Sequence, residues 1–272
     1  DEIEQDGRKT ARMTVFVCED SLDGILTGVY DAWDSRLGHS GVRLKTADTD
    51  TYELFCEYRE VATDMEKAEK VLRTVLRRMG EEAREAICYA CACPNPDKAD
   101  AIYRLIARGL SMEDGTKAVH YLQDPSIALV MKLRQKAWHE AHRMLGFLRF
   151  EELPGGVLYA RMEPSYAVLP LIAPHFADRF RQENWIIHDL KRGLLALHPA
   201  GGWWVLTDDR ELNKKFLTGR AERAEEFQAL WKTFCQTIAI EERRNPRCQQ
   251  TLLPLRFRPH MNEFQTDREN SR

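Results

Sequence analysis

The residues best able to do chemistry lie between His139 and Arg192, in HEAHRMLGFLRF, EPSYAVLPLIAPHFADRF and NWIIHDLKR. Basic, aromatic and proline residues are denser here than a core of helices and strands requires. Cations contact phosphates and flat rings stack on bases, so this mixture points first to a surface that holds nucleic acid. Lys132, Lys136, His139 and Arg143 follow one another at steps of four, three and four residues. At about 100° per residue they share one sector of a helix. The bland reading of such a stripe is a solvated helix face.

His142, His175, His188 and Asp189 are the candidates for acid–base work, because an imidazole takes up and releases a proton near neutral pH. Arg143, Arg149, Arg179, Trp185 and Arg192 are expected to line a nucleic-acid site. Arg243, Arg244 and Arg247 would form an outer clamp. Trp185 is expected to stack on an exposed base, a contact of roughly 1–3 kcal/mol. If NWIIHD is a strand, His188 and Asp189 point to opposite faces. A satisfied core histidine is the plain alternative for His188.

Two motifs invite a metal and do not sustain it. HEAH (His139–His142) sets its histidines three apart, whereas the zinc-protease motif sets them four apart. In CYACAC, a helix points Cys93 away from Cys88 and Cys91, and the alanines between them suit small buried residues. No P-loop, dinucleotide glycine fingerprint, serine nucleophile elbow or three-cysteine cluster motif occurs. No metal and no cofactor are expected.

The elements that must position these residues suggest an α+β fold: a helical amino-terminal half, then an antiparallel sheet flanked by helices. Residues 1–12 read as a flexible tail, 13–122 as a mainly helical region with short strands, 123–264 as the α+β region, and 265–272 as a second tail. Strands are expected at Thr14–Cys18, Val42–Thr46 and Val157–Met162, among others. Gly80 is expected to stop one long helix, and Asp124-Pro125 to start another. Gly155-Gly156 and Gly201-Gly202 mark hairpin turns. A last helix, about 221–242, has a strong apolar face and leads into a basic tail.

Hydrophobic residues make up 43% and charged residues 31% of the 272, with a net charge of −3, so an anion-binding surface must be a local patch. No apolar run approaches the roughly 20 residues that span a bilayer, and no membrane contact is expected. The seven cysteines, without an export signal, fit reduced thiols and a cytoplasmic protein.

EDSLDGILTGVYDAW, EAHRMLGFLRF, GGVLYARMEP, VLPLIAPHFADR, NWIIHDLKR and LWKTFCQTIAIEERRNPRCQQ occur in that order over nearly all of residues 14–264. In these segments the chain resembles a bacterial family assigned to DNA metabolism or DNA repair, whose domain is of unknown function. The resemblance implies a partnership with a radical-SAM protein of DNA modification or repair. Some relatives carry a fused uracil-DNA-glycosylase-like domain, and with few residues following the basic tail no such fusion is expected here. The chain departs from the family pattern near Ser165–Ala167 and at Leu255, which weakens a catalytic role for the 163–168 loop.

Three functions follow as expectations. The first is a DNA-repair accessory protein that binds nucleic acid and acts with the radical-SAM partner. The second is a nucleic-acid-processing enzyme using histidine acid–base chemistry. The third is a protein-interaction module without DNA affinity, docking through the last helix and its tail. Whether the chain is an enzyme stays open at the level of sequence.

Overall fold

A computed structural model describes residues 13–47, 54–153 and 155–209, which form two units divided between Ala137 and Trp138. Arg243, Arg244 and Arg247, with the last helix and the basic tail, lie outside the described residues. The class is α+β, as expected.

The first unit is built on three parallel strands in the order β2-β1-β3: β1 Met13–Cys18, β2 Val42–Thr46 and β3 Cys56–Glu60. Parallel neighbours cannot be joined by a tight turn. Helix α1, Leu22–Asp34, makes the crossing from β1 to β2. Ser21 caps it, its hydroxyl accepting from the Gly24 amide at 3.0 Å. Position 24 must be glycine, because a Cβ there would sit 2.5 Å from the Glu19 carbonyl oxygen.

Helix α2, Met65–Cys91, follows β3, and α3 covers Lys98–Ser111. Gly80 interrupts α2 at φ 81°, a left-handed conformation that glycine adopts without a Cβ clash. The stop expected there is thus a break between two helical stretches. Ile25, Leu44, Val75, Ile87, Ile102 and Leu105 are buried in this unit. Lys98 is buried too, and its ammonium donates to Asp20 and to the carbonyls of Cys91 and Cys93 at 2.5, 2.9 and 2.7 Å. All three of its protons therefore have acceptors.

Cys88 and Cys93 are buried and Cys91 is partly so, as small core residues would be. Burial pushes the Cys88 thiol up to about 11 and holds Cys91 well above the ordinary thiol value. The thiolate is the reactive form, and near pH 8 it is about one part in a thousand of such a thiol. Iodoacetamide at that pH should leave both cysteines unmodified in the native protein while the urea-unfolded chain reacts fully. Equal rates by peptide mass mapping would contradict this burial.

Helix α4, Pro125–Phe147, crosses the division between the units. Asp124 starts it, accepting from the Ser126 and Ile127 amides at 2.8 and 3.4 Å. Arg134 has the acidic partners its position on an apolar side demands, Glu85 at 3.4 Å and Glu82 at 3.9 Å.

The second unit holds a five-stranded sheet in chain order: β4 Glu151–Leu153, β5 Val157–Met162, β6 Asn184–Asp189, β7 Leu194–His198 and β8 Val205–Asp208. Three of its pairings are antiparallel, and the turns at Gly155-Gly156 and Gly201-Gly202 fall where the hairpins require them. The pairing of β5 with β6 is parallel, so the sheet is mixed. Helix α5, Leu169–Arg179, makes that crossing and packs on β6 and β7. No helix among the described residues is long and apolar enough to cross a membrane.

Candidate nucleic-acid interface and a buried histidine relay

The exposed candidates cluster on α4. Within the second unit, Trp138, His139, His142, Arg143, Gly146 and Phe147 are exposed, while Glu140 and Ala141 are buried. At about 100° per residue, Trp138, His142, Gly146, His139 and Arg143 sweep a sector of roughly 140°, and the buried positions fall opposite. Trp138 is 40% exposed, and its ring stacks on His142 with centroids 5.0 Å apart and planes 9° apart. His139 meets the same indole edge-on at 5.2 Å. Arg143 makes no ion pair among the described residues. Lys132 and Lys136, the first two positions of the expected stripe, are exposed as well.

Arg149 is exposed just past the helix end, and donates to the carbonyls of Gly146 and Leu148 at 2.9 and 3.1 Å. That satisfies orphan carbonyls of the last turn. Arg179 is exposed on α5, its guanidinium 5.6 Å from the Phe180 ring centroid. His175 is exposed one turn earlier. Partial loss of water around its ring, and then the Arg179 charge, hold it below its ordinary value.

Trp185 and Arg192 do not take the roles expected of them: the first is buried and the second is engaged by the protein's own groups. Trp185 is 0% exposed and stacks on His198 of β7, with centroids 5.1 Å and planes 5° apart. It is a core residue and offers no face to a base. The reason is the strand's surroundings: β6 lies inside the sheet, and all its residues after Asn184 are buried. Arg192 is an internal clamp. It pairs with Asp189 at 3.0 Å and donates to the carbonyls of Pro164 and Ser165 at 3.0 and 2.8 Å. Asp189, 0% exposed, also accepts from the Arg192 amide at 3.2 Å. With both carboxylate oxygens occupied, Asp189 holds a loop and is not placed to move a substrate proton.

The same loop is fixed from its other side by Glu140, which the sequence hid inside HEAH. Its buried carboxylate accepts from the amides of Ser165 and Tyr166 at 2.8 and 2.7 Å.

His188 has a different environment. The register of β5 and β6 places Tyr159, Arg161, Ile186 and His188 on one face. His188 is 4% exposed. Its Nδ1 lies 2.9 Å from the Tyr159 hydroxyl and its Nε2 lies 3.4 Å from Asp209 Oδ2. A carboxylate only accepts, so Nε2–H donates to Asp209, and Nδ1 accepts from the Tyr159 hydroxyl. The result is a chain from phenol to imidazole to carboxylate, with Asp209 at the more open end. Burial holds the Tyr159 phenol above its ordinary value, with Arg161 offsetting part of the rise.

His142, His175 and His188 thus occupy separate settings, and no hydrogen bond joins any two of them among the described residues. The acid partner of His188 is Asp209, just past the end of β8 and distant in sequence. Trp138, Glu140, Tyr159 and Asp209 were missed by the reading of the sequence. For Trp138 a signal was present: it precedes His142 by four residues on the same helical face. No cluster of histidine, cysteine or carboxylate ligands able to hold a metal ion occurs among the described residues.

Comparison with known proteins adds little chemistry. No curated protein matches. Among solved structures, a DHH-domain protein described as a member of a family of ribosomal proteins is similar at 9% identity and a TM-score of 0.32, over 84% of this chain and 87% of that one. A family model does match, over residues 96–263, which takes in α3, the exposed face of α4, the clamped loop and the histidine relay; the chain belongs to DUF4130, a domain family of unknown function.

Proposed function

We propose that this chain binds nucleic acid through the exposed face of α4, as a DNA-repair or DNA-metabolism protein acting beside a radical-SAM protein. The observation that supports binding is the open stack of Trp138 on His142, flanked by His139 and by Arg143, which has no ion-pair partner among the described residues. An indole that stays 40% exposed on a folded unit presents a flat surface to an unstacked base. The cations beside it contact phosphates without reading sequence. Such a surface favours single strands, whose bases are free to stack. The place in DNA repair and the radical-SAM partner rest on the family resemblance described above.

Fluorescence anisotropy with single- and double-stranded oligonucleotides across a salt series tests the reading. Saturable binding that weakens steeply with salt, tighter for the single strand, is expected. No binding at low salt, or an affinity indifferent to salt, would overturn it.

The Tyr159–His188–Asp209 chain favours a second reading, an enzyme that processes nucleic acid. In it the imidazole would take the phenol proton, with Asp209 stabilising the cation that forms. Tyr159→Phe removes that hydroxyl and little else. If the reading holds, Tyr159→Phe abolishes turnover of oligonucleotide substrates by gel assay and leaves binding on α4 intact. An oligonucleotide-cleaving preparation equally active as Tyr159→Phe would sink it.

A further inference from the structure

The strongest unassigned feature lies in the first unit and shares no residue with the α4 surface. Helices α1 and α2 are joined by successive polar contacts. The Asp64 amide donates to Thr27 Oγ1 at 3.1 Å, and Asp31 pairs with Lys67 at 2.7 Å. These contacts advance together along both chains, so the two helices run the same way. Asp34 and Lys70 stand three residues beyond Asp31 and Lys67, about 4.5 Å further along. They would be the next rung, yet neither makes an ion pair among the described residues.

A pocket separates them. It has room for about 270 Å³ and is lined by α1, α2 and the end of α3. Val29, Val71 and Ile106 give it an apolar floor, and Tyr30 and Trp33 stand at its rim beside Asp34 and Lys70. Trp33 is 44% exposed, held by His39 at a centroid distance of 4.9 Å. The Lys70 ammonium lies 6.0 Å from the Tyr30 ring centroid. An apolar cavity with a few convergent polar groups is the usual form of a small-molecule site, and this one lies just below the usual size range.

We infer that this pocket binds a small ligand that completes the open rung: a flat aromatic body carrying an amino group for Asp34 and an anionic group for Lys70. The ring would lie against Trp33 and Tyr30 above the apolar floor. Two sources share that chemistry, a nucleoside monophosphate with an exocyclic amine and an aromatic amino acid.

Isothermal titration of the full chain with AMP and, separately, with L-tryptophan tests the site and tells the sources apart. One-to-one saturable binding of at least one probe is expected. Asp34→Ala and Lys70→Ala, both at exposed positions, should each weaken it roughly tenfold or more, with the thermal midpoint unchanged. Binding of AMP alone assigns the phosphate source, and binding of tryptophan alone assigns the amino acid. No heat from either probe up to about 10 mM, or affinity equal in wild type and both variants, would overturn the inference.

Discussion

Asp189→Ala is expected to destabilise the protein by about 3 kcal/mol, among the largest effects of any single substitution in this chain. Removing one member of a buried ion pair costs about 3–5 kcal/mol, because the partner loses its compensation. The lower end applies here, since the Arg192 side chain is 22% exposed and regains some water. The loss has three parts: the ion pair, the bond to the Arg192 amide, and the hold of Arg192 on Pro164 and Ser165. Asp189→Asn keeps an acceptor for the amide and should lose only about half as much. Glu140→Ala acts on the same loop from the opposite side and removes the charged acceptor of the Ser165 and Tyr166 amides, at about 1.5–3 kcal/mol. Because both side chains fix residues 164–166, the double variant should lose less than the sum of the two. Urea unfolding of the four variants beside the wild type measures all of this. Additive losses would show that the two sides act independently.

Trp138→Ala is expected to weaken single-strand binding by about 1–3 kcal/mol, the range for losing one base–aromatic stack. Stability should scarcely change, since the indole is 40% exposed and its removal opens no cavity. Trp185→Ala should do the reverse. It empties a fully buried site against His198 and costs about 3–5 kcal/mol of stability. The contrast separates the tryptophan that binds from the one that packs. Arg143→Ala should weaken all sequences alike and reduce the salt slope by about one.

The elements of this fold were legible wherever a local rule decides the backbone. Asp124-Pro125 starts α4, Gly80 breaks α2, and Gly155-Gly156 turns β4 into β5 because capping, left-handed φ and tight turns are properties of a few adjacent residues. The parallel pairings of β1 with β2 and β3, and of β5 with β6, were not legible. A strand's alternation is the same whichever way its neighbour runs, and the sequences of the crossing helices α1 and α5 do not say which strand the chain returns beside. The site divides along the same line. Exposure of Lys132, Lys136, His139 and Arg143 followed from helical spacing. The burial of Trp185 did not follow, because a strand with both faces covered shows no contrast between its two sets of side chains. His188 was picked out on its chemistry, but its partners Tyr159 and Asp209 are set by the register of β5 and by the end of β8.

The most direct test of the α4 surface is photocrosslinking of a bromouracil-substituted single strand to the full chain, with the crosslinked peptide identified by mass spectrometry. The crosslink is expected within Trp138–Arg143, and Trp138→Ala should abolish it. Efficient crosslinks confined to other parts of the chain, and unchanged by Trp138→Ala, would contradict the account.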